Sequence, residues 1–193
     1  MNAEQVAALR TLLAPTGWLD RAGEFARALR GSARTRGGLL LVGTPEEEPW
    51  HFAAHLDDES RFAGLPELAP TLVRWNPPPG APPHLNVSLA RLGEAGRGDS
   101  LVVVSPQAAP DGLLERVHDA RKGGATILAL DRGDRRLADM AHEELTVAPS
   151  APLTFDAVQH LVSAAAGERA EPGKGLRARL ARFLDTVSGP TSP

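Results

Sequence analysis

Between Gly98 and Leu130 the chain reads GDSLVVVSPQAAPDGLLERVHDARKGGATILAL. Two short, unbroken apolar runs flank a proline-bounded turn and an amphipathic segment. Such runs suit strands covered on both faces, and a strand, helix and strand of this length close as a right-handed parallel crossover. That unit commits the chain to an α/β fold. Its turn, Ser105-Pro106-Gln107-Ala108-Ala109-Pro110, is the informative part. A turn that cradles an anion needs small residues and free backbone N–H groups at the helix start. Here proline removes the donor at Pro106 and at Pro110, no glycine allows close approach, and Ser105 alone supplies a hydroxyl.

The rest of the chain repeats the alternation. Val6, Leu9, Leu12 and Leu13 predict a helix over 3–13, which Pro15 ends, and Thr16 is placed to cap a second helix carrying Trp18, Leu19, Ala22, Phe25, Ala26 and Leu29. Strands are expected at 39–42, 71–75, 100–105, 126–131 and 145–147, with helices at 50–56, 85–92, 137–140 and 155–166. The run Asn76 to Pro83 can be neither helix nor central strand and reads as an extended surface loop. The expectation is a three-layer, doubly wound sheet of about five mainly parallel strands, preceded by two N-terminal helices. One domain covers 1–167, including a helix pair at 3–30. A linker at 168–175, a basic amphipathic helix at 176–187 and a disordered tail at 188–193 complete it.

Composition narrows the classes. The 193 residues carry 21 Lys plus Arg against 24 Asp plus Glu, so no overall basic footprint for nucleic acid is present. Cysteine is absent, which excludes disulfides, thiolate metal sites and thiol nucleophiles. The first residues lack the pattern of a signal peptide and no apolar run has membrane-spanning length, so a cytoplasmic location is expected. Gly98-Asp99-Ser100-Leu101 spells a known esterase motif, but the downstream Asp-x-x-His that such a serine requires is missing. Asp99 and Ser100 are expected simply to lead the chain into a strand.

Three stretches, in order and at matching separations, resemble the sugar isomerase (SIS) domain family, in particular the branch of phosphoheptose isomerase and the DnaA initiator-associating protein. They are Gly38-Leu39-Leu40-Leu41-Val42-Gly43 with His51-Phe52-Ala53-Ala54-His55-Leu56, then Gly98 to Ser105, then Thr126 to Asp131. The resemblance implies an SIS-like fold and a phosphosugar site at Gly43, Thr44, Ser105 and Gln107, in degenerate form. The family's Ser-Thr-Ser-Gly turn is Ser105-Pro106-Gln107-Ala108 here, and its glycine-serine loop is Thr44-Pro45-Glu46-Glu47-Glu48-Pro49, whose three carboxylates would repel a dianion. The branch's catalytic Glu falls on His55, and its catalytic His falls on Ala165 rather than His160. No catalytic residue is therefore assigned.

His51 and His55 lie at i and i+4, a spacing that serves zinc sites. The branch often holds zinc between this helix and the last one, so the resemblance allows His160 or Asp156 to join them; zinc is the one cofactor expected, if any. The plainer reading makes His51 a core or interface residue and His55 a solvated one. His84, His118 and His142 read as surface residues. In the C-terminal segment Leu176, Leu180, Phe183 and Leu184 form an apolar stripe opposite Arg177, Arg179 and Arg182. The stripe can dock on a protein partner or fold back on its own domain or dimer mate; membrane contact and direct nucleic-acid contact are not expected. Together these features suggest a non-catalytic SIS-like binding or regulatory protein, an oligomeric adaptor forming a dimer or tetramer through its N-terminal helices. The alternatives are a phosphosugar isomerase or sensor with an altered pocket, and a zinc-dependent enzyme centred on His51 and His55.

Overall fold

The computed structural model describes residues 17–168. The first expected helix, the linker beyond Glu168, the C-terminal stripe with Leu176, Leu180, Phe183 and Leu184, and the tail lie outside these residues.

Five strands form one sheet in the order β2-β1-β3-β4-β5, and every pair is parallel. They are β1 (Leu39–Val42), β2 (Thr71–Val73), β3 (Ser100–Ser105), β4 (Thr126–Asp131) and β5 (Glu143–Thr146). Alternation along each strand splits the apolar runs between two cores. Leu39, Leu41, Val102, Val104, Leu128 and Leu130 face one side. Leu40, Val42, Leu101, Val103, Ile127 and Ala129 face the other. Both sides must be covered, which is why these strands are continuously hydrophobic.

Helices α1 (Trp18–Ser32), α2 (Trp50–Ala63) and α5 (Phe155–Ala166) cover the first side. Helices α3 (Asp111–Lys122) and α4 (Arg135–Ala138), with a 3-10 segment at Leu89–Glu94, cover the second. α5 packs along both α1 and α2. Arg21 of α1 stacks on Trp18 and donates to the Thr146 carbonyl at 3.0 Å, which fastens this layer to the edge strand.

The winding direction reverses between β1 and β3, the position at which open parallel sheets leave a crevice beyond their C-terminal ends. Val42, the last residue of β1, pairs with Val103, so β3 overhangs β1 by Val104 and Ser105. On the other side β3 and β4 end level, with Ser105 opposite Asp131. The end of β3 therefore has two flanks of different depth.

Several boundaries differ from the sequence expectation. Gly17 in a left-handed conformation (φ 67°), not Thr16, occupies the cap position of α1. α2 runs to Ala63, seven residues beyond the expected Leu56, where Gly64 ends it with φ 65°. The expected helix at 85–92 is the 3-10 segment Leu89–Glu94, capped by the Ser88 hydroxyl. α4 and β5 each begin two residues earlier than expected. β2 ends at Val73, and Arg74 then forms a bridge to Ser88 and donates its N–H to the Val87 carbonyl at 2.8 Å. The proline-rich excursion thus leaves and rejoins the sheet at one place. His142 is exposed, as the surface reading expects, and also makes a structural bond. Its Nδ1 accepts the Ile127 N–H at 2.9 Å while its own N–H donates to the Ile127 carbonyl, so it completes the β4 edge.

Candidate functional site

The crevice between β1 and β3 is filled from within. Gly43 follows β1 directly, and a Cβ there would stand 2.1 Å from the Glu47 carbonyl oxygen, so the loop closes only because this residue is glycine. Thr44 is buried; its N–H donates to the Glu47 carbonyl at 3.1 Å, and its hydroxyl accepts the Glu47 N–H at 3.2 Å. The backbone and hydroxyl groups that could meet a ligand are engaged in a tight turn.

A second layer locks that turn. Glu48 accepts from Arg74 Nε at 2.9 Å, from Trp50 Nε1 at 3.1 Å and from the Trp75 N–H at 3.2 Å. Trp75 Nε1 donates to the Gly43 carbonyl at 2.9 Å, and the Arg74 guanidinium stacks over the Trp50 ring. The Arg74 and Glu48 side chains are only 15% and 14% exposed, so this is a shielded pair. The expectation of three repelling carboxylates is corrected here, because Glu48 is neutralised by Arg74 and only Glu46 and Glu47 are exposed.

The β3 turn is closed in the same manner. Ser105 is fully buried and its hydroxyl donates to the Gln107 carbonyl at 2.6 Å. The N–H of Ala109, two residues before α3, donates at 2.8 Å to Asp134 Oδ2. Asp134 Oδ1 accepts the Arg136 N–H at 3.0 Å and so also caps α4. A carboxylate of the chain itself thus sits at the start of α3, where a ligand anion would need N–H donors. Of the four expected ligand-binding residues, Gly43, Thr44 and Ser105 are buried, and the Gln107 side chain is exposed.

On the β4 flank the arrangement is different. The Gln107 and Ala108 lip faces Arg132, Asp134, Arg135 and Arg136 across an open cleft of about 340 Å³. Arg136 donates to Asp111 at 2.7 Å and to the Ala109 carbonyl at 2.9 Å. Arg132 stacks over Phe155. Beneath the cleft's floor residue Gly133, buried Asp131 accepts the Gly133 N–H at 2.8 Å through Oδ1, while Oδ2 has no hydrogen-bond partner among the described residues. Burial raises its pKa to about 6, the charges of Glu144 and Asp134 push the same way, and the Gly133 N–H opposes them. The sequence reading missed this cluster. Its one local signal is charge density, because Asp131-Arg132-Gly133-Asp134-Arg135-Arg136 follows an apolar strand directly.

The histidines do meet. His51 and His55 of α2 and His160 of α5 bring their rings together, with centroids 5.6, 5.5 and 4.1 Å apart. Burial, reinforced by His55 and His51, lowers the His160 pKa to about 4, and burial with His51 lowers that of His55 against the pull of Asp58. The exposures reverse the plainer reading: His51 is exposed and His55 is partly buried. Among the described residues no three His, Asp or Glu side chains are placed to share a metal ion. In the esterase-like motif, Ser100 is fully buried at the start of β3, and Asp99 accepts the Gly96 N–H and pairs with Arg91. Ser100 cannot meet a substrate.

No protein-family profile matches the chain, and no curated protein matches it in sequence. Solved structures do match in fold. A candidate phosphosugar isomerase from Silicibacter pomeroyi aligns with a TM-score of 0.57 at 16% identity, over 92% of this chain and 51% of its own. A candidate phosphosugar isomerase from Salmonella typhimurium aligns at 0.55 and 14% identity, over 89% and 51%. A candidate sugar-binding protein from the same organism aligns at 0.52 and 14%, over 89% and 56%. The chain spans about half the length of each. The likeness is one of fold, a five-stranded parallel α/β sheet. Among the described residues no helix is long and apolar enough to cross a membrane.

Proposed function

We propose that this chain is a non-catalytic SIS-fold binding or regulatory module, an oligomeric adaptor in which the phosphosugar cradle has been closed. The observation that carries the reading is the self-occupied turn, with the Ala109 N–H held by Asp134 and the Ser105 hydroxyl held by the Gln107 carbonyl. Aldose–ketose isomerisation moves a proton between adjacent carbons and needs a base within reach of the substrate. The carboxylate that the family resemblance would place on α2 is His55, a partly buried imidazole whose lowered pKa makes it a weak base. The sugar-related descriptions of the structural neighbours support a binding role derived from the same scaffold. Self-association and a protein partner belong to this proposal.

The test is solvent exchange. An isomerase working through an enediol exchanges the substrate proton at the carbon next to the carbonyl with deuterium. The protein incubated with hexose and heptose phosphates in deuterium oxide is expected to leave that proton resonance unchanged. Its loss at a rate proportional to protein concentration would refute the reading.

A further inference from the structure

Two large apolar side chains are exposed among the described residues, Trp50 and Phe62, both on α2. Trp50 has the Arg74 guanidinium stacked on its ring, whereas Phe62, in the last turn, is 75% exposed. Helical spacing puts Phe62 on one stripe with His51, His55 and Asp58. That stripe borders α5, because the His55 ring meets His160 at 4.1 Å, and half-buried Ala157 and Ala164 share the face of His160. Two exposed carboxylates, Asp58 of α2 and Asp156 of α5, stand along this seam. Asp156 accepts from Gln159 Nε2 at 3.2 Å and the charge of Asp58 acts on His55, but neither pairs with an arginine among the described residues. The nearby Arg61 is taken by Asp57.

We propose that the basic amphipathic segment 176–187 docks on this seam within its own chain, with Leu176, Leu180, Phe183 and Leu184 covering Phe62 and the alanines of α5. Charge selects this occupant. Three arginines, Arg177, Arg179 and Arg182, less Asp185 bring a net positive charge to the two carboxylates, whereas the apolar segment 3–13 carries only Arg10 against Glu4. The tether also fits. Arg132, just past β4, stacks on Phe155, and Arg30, near the end of α1, donates to the Glu168 carbonyl, so α5 runs from the carboxyl to the amino edge of the sheet, as α2 does between β1 and β2. Glu168 and Phe62 therefore stand at the same edge. Neighbouring helix axes lie about 8–10 Å apart, and residues 169–175 span up to about 24 Å when extended. The inference stands apart from the loss of isomerase chemistry, since one is read by proton exchange and the other by cross-linking.

The chain contains no cysteine, so introduced pairs report proximity without background. Ala54 is exposed about two turns before Phe62, and Leu184 lies about two turns past Leu176, so the two come together when the segment runs antiparallel to α2. The full chain carrying Ala54→Cys and Leu184→Cys, treated with a short bismaleimide, is expected to link within one chain and keep monomer mass. Leu184→Cys paired with Glu115→Cys, on the exposed side of α3 across the sheet, is expected to give no link. Trypsin is expected to cut after Arg177, Arg179 and Arg182 about tenfold faster in Phe62→Asp than in the wild type, as an undocked segment allows. Position 62 is exposed, so that variant should unfold at the wild-type temperature. No link at position 54, or as much at 115, would overturn the docking, as would equal trypsin rates. Links formed only between chains, when the two single-cysteine variants are mixed, would overturn the assignment in favour of a second copy.

Discussion

The two flanks of β3 end at the same strand and behave in opposite ways. Toward β1 the chain has filled the crevice with itself, through the Thr44 to Glu47 turn, the Glu48 and Arg74 pair and two tryptophans. Toward β4 it leaves an open cleft with Arg132, Arg135 and Arg136 along its wall. The difference follows from geometry and charge together. β1 stops two residues short of β3, so its loop must cross over the strand end and can fold inward. β4 ends level with β3, so its loop turns outward at Gly133 and carries its charges to the rim. A crevice closes when its donors find acceptors within the chain.

The closed flank is broken most severely by Arg74→Ala. That change strands Glu48 in a shielded position and is expected to cost about 3 kcal/mol in denaturant unfolding, with altered tryptophan emission from Trp50 and Trp75. A loss below about 0.5 kcal/mol would show the pair to be a surface contact. Asp134→Ala, which joins the flanks, removes the acceptor for the Ala109 and Arg136 N–H groups and should cost about 2 kcal/mol by the same measurement.

A smaller effect sharpens the open flank. Asp131 has a folded pKa of about 6 against 3.8, so its stabilising contribution is complete below about 3.8 and is lost as pH rises through 6. From pH 5 to pH 7 the wild type should therefore lose about 1 kcal/mol relative to Asp131→Asn. His160 acts in the other direction, since its lowered pKa makes stability drain away as pH falls from 6.5 toward 4. Comparing wild type with the Asp131 variant cancels that histidine contribution. Parallel pH profiles for the two proteins would remove Asp131 from the account.

The central strands β1, β3 and β4 were readable from sequence because each carries an apolar run between turn residues, and both faces of Leu39 to Val42 or Ile127 to Leu130 had to be buried. The missing N–H donors of the β3 turn were readable in Pro106 and Pro110. The contacts that occupy the turn were not. Glu48 and Arg74 are 26 positions apart, and Ala109 and Asp134 are 25 apart, so no local period connects them. The histidine spacing was visible at i and i+4, but which ring would be shielded depends on how α2 meets α5, a tertiary matter. The bond from Ile127 to His142 was not legible, because it is set by the edge of β4 and by nothing in the neighbours of His142.

Arg74 holds the backbone bridge to Ser88, the ion pair with Glu48 and the stack on Trp50 at once. The proline-rich excursion therefore has both feet on one residue and an exposed tip around Gly80. Over generations of insertion and deletion the tip is free to lengthen or shorten, as exposed loop tips are. Its feet are not, because any change that shifts Arg74 out of register also unlatches the wall of the closed crevice.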